Sequence, residues 1–431
     1  MVCANTFNNR HRIMRTHFSH EVVFLIAMSI LALIGILNRY IFLESNLPAL
    51  FVSLIIACVY ARAEKIYRRG IIFFSISFMF FVAYSWLRLD NVWEFKLTLS
   101  DMFGVKSGFA YVLDLIIFYF LFILAALLYY RKPEFPIFLW FLISGYIVVF
   151  ILRNSMDISG LQVGYNLSPG FVILTFVPFV YLKNSKRKDS LANFANVMLV
   201  LCISWLALIG ARTAVVALLL FYATLRAWPL ITRNRFRYYM TFFGLLALIA
   251  TLTVFYLRFE HLDEAVLEDT GLKIFSKRLG TRTDIWMHLL YYIAQRPFGG
   301  YGTDQATSAL SPVPFLEFSY HRDNLAAHST YFDILYRLGI VGLFSFVLII
   351  FSIWRIFWNG RKLWPVRVSG SFLLALLLFA STTEFLVFST LPLRSGFAWI
   401  ILGIGAGASL RAEIDRQLSR HDRMTNNSSV V

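Results

Sequence analysis

Phe109-Ala110-Tyr111-Val112-Leu113-Asp114-Leu115-Ile116-Ile117-Phe118-Tyr119-Phe120-Leu121-Phe122-Ile123-Leu124-Ala125-Ala126-Leu127-Leu128-Tyr129-Tyr130 holds a single charge between Lys106 and Arg131. It is long enough to cross a hydrocarbon core, which takes about 20 helical residues. It ends in two tyrosines followed by Arg131-Lys132, the aromatic and basic flank of a span that reaches the membrane surface. Comparable blocks fall near 21–37, 47–61, 70–89, 136–152, 169–182, 190–209, 212–226, 238–257, 329–353, 366–386 and 396–410. With 109–130 they predict about twelve transmembrane helices.

Composition agrees. The 431 residues are 59% hydrophobic and 15% charged, and the mean hydropathy is +0.68. A soluble domain carries about a quarter charged residues. The 44 phenylalanines sit alongside many Trp and Tyr near block ends, as interfacial belts require. Cys3, Cys58 and Cys202 do not suggest a disulfide framework. The first block closes with Leu37-Asn38-Arg39-Tyr40 and no small-x-small cleavage pattern, so it is expected to stay as the first helix.

The positions of the charges matter more than the net +16. Alternate connections are basic: Arg62, Lys65, Arg68 and Arg69; Arg131 and Lys132; Lys183 to Lys188; Arg226 to Arg237; Arg355 to Arg367. Both ends belong to this set, and the intervening connections are sparse in cations. The positive-inside rule places the basic set and both termini in the cytoplasm. It also accounts for much of the net charge without nucleic acid. The expected organisation is 1–257 with nine spans, 258–328 as a large periplasmic loop, 329–410 with three more spans, and 411–431 as a cytoplasmic tail.

The loop 258–328 begins acidic and turns basic. Long loops escape the charge rule. Within it, Thr281-Arg282-Thr283-Asp284 opens an amphipathic stretch whose apolar face is Ile285, Trp286, Leu289, Leu290 and Ile293, closed by Arg296-Pro297. Thr281 as N-cap and Asp284 as third residue fit a capping box. That sets Arg282 in a first turn, where an anion is favoured; on the local pattern alone, an interfacial helix with a surface Arg is the favoured reading. Arg212 follows Leu208-Ile209-Gly210-Ala211 at the outer end of a hydrophobic hairpin. It is either a functional charge beside the hydrocarbon or one that reaches to headgroups. His328 stands just before Ser329-Thr330-Tyr331, as a general base or a polar helix-cap residue. Glu384 in Ser381-Thr382-Thr383-Glu384 needs a partner such as Arg394 or Arg212, and a pair that orders the arginines is favoured. The acidic patch 260–269 lacks the ligand spacing of a cation loop, and Gly299-Gly300-Tyr301-Gly302 reads as a turn, with no phosphate-loop Lys after it. No metal and no cofactor are expected. A transporter also fits twelve helices, but neither a two-fold repeat nor an interrupted helix is visible, and the polar groups gather at one face.

Taken in order, Gly210-Ala211-Arg212, Gly280-Thr281-Arg282-Thr283-Asp284-Ile285-Trp286, Pro297-Phe298-Gly299-Gly300-Tyr301-Gly302, and His328 followed by Leu338-Gly339-Ile340-Val341-Gly342-Leu343 resemble the O-antigen ligase and O-antigen polymerase superfamily of bacterial envelope glycosyltransferases. The resemblance spans about 140–410, with its specific part at 210–343. Where many members have His-Asn, this chain has His328-Ser329. The resemblance implies an all-α, GT-C-like polytopic fold in the bacterial inner membrane with a periplasmic active site. It implies a glycan donor on undecaprenyl pyrophosphate and a lipid A-core or growing-glycan acceptor, with membrane lipid around both. Arg212 and Arg282 would bind the pyrophosphate without a metal, and His328 would be the base. Glu384, Arg394, Arg322 and Tyr331 would support them. The ligase is favoured over the polymerase.

Overall fold

A computed structural model describes residues 65–89, 108–131, 212–259, 285–303, 327–383, 386–387 and 392–428, with scattered positions between 197 and 206. Among the described residues there is no strand. The helices are α1 (Lys65–Leu87), α2 (Gly108–Arg131), α3 (Arg212–Ile231), α4 (Arg235–Phe259), α5 (285–295), α6 (Thr330–Asn359), α7 (Trp364–Ala380) and α8 (Pro392–Ser428). Four carry windows long and apolar enough to span a membrane, namely Arg212–Ile231, Arg235–Phe255, Thr330–Asn359 and Ser395–Gln417. Ile71–Leu87, Asp114–Tyr130 and Trp364–Ala380 are shorter apolar helices. The described residues are therefore those of a helical, multi-pass membrane protein. The blocks near 21–37, 47–61, 136–152 and 169–182, and most of 190–209, lie outside the described residues.

Several boundaries differ from the sequence pattern. α3 runs through Arg226 to Ile231, with Pro229 inside its last turn. α7 ends at Ala380, capped where the Ser381 amide donates to the Leu378 and Phe379 carbonyls. The helix therefore stops before Glu384, although the predicted block extends to 386 because apolar residues resume at Phe385. α8 passes through position 410 without a break.

Packing is tightest between α2 and α8. A side chain at Gly403 would strike the Phe122 carbonyl, and one at Gly407 the Ala126 carbonyl. Small residues four apart let two backbones approach where lipid supplies no hydrophobic drive. Elsewhere aromatic rings fill the seams. Tyr238 of α4 stacks on Trp354 of α6 at 4.2 Å, and its hydroxyl donates to the Trp354 carbonyl at 2.7 Å. Outward positions such as Ile72, Ile76 and Phe80 on α1 are exposed and apolar, the face a lipid-embedded helix presents.

The relative direction of the helices places the site. Arg367 Nε, near the start of α7, donates to the Leu225 carbonyl near the end of α3 at 2.6 Å. The two helices thus run antiparallel. Arg212 lies thirteen positions before Leu225 and Ala380 thirteen after Arg367, about 20 Å of helix in each case. Arg212 and the end of α7 consequently share one membrane face.

Candidate active site

His328 occupies the junction expected of it and has an unusual backbone. Its φ is +48°, the one positive value at a non-glycine residue among those described. A β-carbon is disfavoured there, and such strain persists only where neighbours enforce it. Both neighbours are anchored. The indole Nε1 of Trp286, in α5, donates to the buried Ala327 carbonyl at 2.9 Å, and its ring stacks on Phe332 at 5.1 Å. On the other side, Thr330 donates to the Thr383 carbonyl from its amide at 3.2 Å and its hydroxyl at 2.8 Å. Ser329 is the N-cap of α6 and accepts from the Phe332 amide. The backbone around half-buried His328 is thereby held between the loop helix and the end of α7.

The turn 297–302 has a structural partner that the pattern of apolar residues does not reveal. α6 is interrupted: Gly339 has φ 64° and ψ −164° inside it. No break was expected in this helix, but the loop supplies its missing hydrogen bonds. The amides of Tyr301 and Gly302 donate to the Tyr336 and Arg337 carbonyls, each at 2.9 Å. The Ile340 amide donates to the Pro297 carbonyl at 2.8 Å. The Tyr84 hydroxyl, from α1, donates to the Leu338 carbonyl at 3.3 Å. A buried backbone group left unsatisfied in lipid costs several kcal/mol, so break and turn depend on each other. Glycine is required at both closest approaches. A β-carbon at Gly339 would meet the Phe298 carbonyl, and one at Gly300 (φ +66°) would lie 2.5 Å from the Arg337 carbonyl.

Charged groups lock this joint. Arg337 is buried and pairs with the equally buried Asp333 at 2.8 Å. Its Nη1 donates to the Thr303 carbonyl at 2.7 Å, and its guanidinium lies 4.9 Å from the Tyr111 ring centre. Arg88, just past α1, donates from Nη2 to the Gly300 carbonyl at 2.8 Å. Thr303 closes the arrangement, its amide donating to the Arg88 carbonyl at 3.0 Å. Tyr301 stacks on Tyr336 at 5.1 Å with Arg296 over its outer face at 4.8 Å. Burial pushes the Tyr301 phenol above its ordinary range, while the Arg296 charge works the other way. Asp333, Arg337, Arg88 and Tyr84 were not singled out from the sequence. The available signal was the i,i+4 pair of opposite charges inside an apolar block, since intramembrane ionisable residues are seldom incidental.

The expected site residues are distributed as follows. Arg212 is exposed at the first turn of α3, on the membrane face of the α7 end that holds Thr330. Tyr331 directs its hydroxyl to the Leu377 carbonyl of α7 at 2.8 Å, an anchoring contact. Arg282, Arg322 and Glu384 lie outside the described residues, as does the acidic patch 260–269. Arg394 falls in the first turn of α8, its side chain undescribed.

A helical, multi-pass membrane protein with a strained histidine and a buried arginine–aspartate pair is the class that fold and site define. Residues 197–347 match the family model described as O-antigen ligase, which supports the O-antigen ligase superfamily for this chain. The matched stretch runs from before α3 through the glycine break of α6, and so includes Arg212, Arg282, the 297–302 turn and His328. The comparison with curated proteins found no match.

Proposed function

We propose that the chain is an O-antigen ligase, transferring a glycan from undecaprenyl pyrophosphate to a hydroxyl of the lipid A-core at the periplasmic face of the bacterial inner membrane. The observation that carries this is the enforced left-handed backbone of His328, because strain of this kind gathers where a side chain must be aimed. The His328 imidazole takes the proton from the acceptor hydroxyl. The acceptor oxygen forms its bond to the anomeric carbon as the bond from that carbon to the pyrophosphate oxygen breaks on the opposite side. The configuration inverts. The electron pair leaves with undecaprenyl pyrophosphate, whose charge Arg212 and Arg282 neutralise in place of a metal. Arg322, Tyr331 and a Glu384–Arg394 pair support these groups.

A strain lacking the protein tests the assignment. Long carrier-linked chains are expected to remain while lipid A-core goes uncapped. Core capped with a single repeat would make the protein a polymerase instead. Transfer by the purified protein without an ion gradient separates either enzyme from a transporter.

A further inference from the structure

The opposite end of α6 carries a second cationic centre. α6 starts beside His328 and ends at Asn359, so the turn 360–363 lies on the other membrane face. Three arginines from three elements meet there. The Arg361 guanidinium lies over the Trp358 ring at 3.9 Å, and that of Arg235, the first residue of α4, lies 5.9 Å from the same ring centre. Arg416 of α8 donates to the Asn359 carbonyl.

Their partners are neutral. Arg361 Nη1 donates to the Trp358 carbonyl at 3.1 Å, and Arg416 Nε to the Ala412 carbonyl at 3.0 Å. The nearby Glu413 accepts from the Asn359 amide at 2.9 Å. Among the described residues none of the three arginines is in an ion pair. Burial, then the charges of Arg416 and Arg235, lower the Arg361 pKa from its ordinary value. The amino-terminal end of α4 adds a positive helix end at Arg235. Three like charges are thus held together by carbonyls and a ring at a membrane surface, and the nearby Glu413 is bonded to Asn359 rather than paired with any of them among the described residues.

We infer that Arg235, Arg361 and Arg416 form a binding site for the phosphate of an anionic phospholipid headgroup, with Trp358 as its floor. The membrane position selects a lipid over a soluble anion: these residues follow or precede apolar helices, where lipid phosphates lie. Arginine suits the phosphate because its planar fork donates two parallel hydrogen bonds. The site is on the face away from His328 and does not depend on the proposed transferase reaction.

The test is native mass spectrometry of the full chain in detergent, with phosphatidylglycerol or phosphatidylcholine of the same acyl chains added. Wild type is expected to retain phosphatidylglycerol preferentially. Arg361→Gln and Arg416→Gln should each lower that retention about fivefold, leaving phosphatidylcholine unchanged. Arg235→Gln, at an exposed helix start whose Arg237 amide is capped by Asn234, gives a variant whose folding does not rest on the buried groups. Equal retention of the two lipids, or unchanged preference in the variants, overturns the site. Displacement of phosphatidylglycerol by excess inorganic phosphate overturns the lipid assignment.

Discussion

The indole N–H of Trp286 is bonded to the carbonyl of Ala327 at 2.9 Å, which ties the loop helix to the residue before His328. Trp286→Phe keeps a ring against Phe332 but leaves that buried carbonyl without its donor, at a cost of about 1–3 kcal/mol. Turnover in vesicles is expected to fall more than the yield of folded protein. Unchanged turnover would show that the anchor has no bearing on His328.

Gly339→Ala sets a β-carbon against the Phe298 carbonyl at a positive φ. The backbone strain alone is about 1–3 kcal/mol, and relieving the clash must open the 297–302 turn. Thermal unfolding of the purified protein is expected to show a large loss. Gly244→Ala in α4 is the control, with nothing within 4 Å of the new atom; it should stabilise by about 0.5–1 kcal/mol.

Removing either partner of the Asp333–Arg337 pair strands a buried charge. Asp333→Asn and Arg337→Leu should each destabilise by about 3–5 kcal/mol. The double variant should be much less destabilised than their sum, because no charge is left behind. It should still fall short of wild type, since the Thr303 carbonyl loses its donor. A full cycle by thermal or denaturant unfolding measures this, and simple additivity would deny the pair any coupling.

His328→Ala, Arg212→Ala and Arg282→Ala are each expected to abolish transfer while the protein still reaches the membrane. Full activity in the histidine variant would remove it as the base. A chelator such as EDTA should leave the rate unchanged, and strong inhibition would point back to the acidic patch 260–269.

The membrane class was legible because hydrophobic length is a local property of sequence: seven predicted blocks coincide with described helices, four of them of spanning length. His328 and the loop motifs were legible by their positions at punctuated junctions. The break at Gly339 was not: Leu338-Gly339-Ile340 looks continuous with its neighbours, and only the loop hydrogen bonds from 297–302 make an interruption tolerable. Asp333 and Arg337 stayed hidden for the same reason, since an isolated charge pair barely lowers the hydropathy of a long apolar block. The end of α7 at Ala380 was missed because apolar residues resume at Phe385 after Ser381-Thr382-Thr383-Glu384, whereas the cap at Ser381 is set by backbone geometry.

The interruption at Gly339 has a mechanical consequence. Thr330–Leu338 takes its end bonds from the loop, whereas the remainder of α6 is held by the other spans. The piece that begins beside His328 therefore belongs with 285–303 in its cooperative unit, although chain continuity joins it to the rest of α6. In hydrogen exchange, its amides should open together with those of 285–303 and at a different rate from those beyond Gly342. His328 would then ride with 285–303, and the half of the same helix packed among the other spans would serve as its fixed mast.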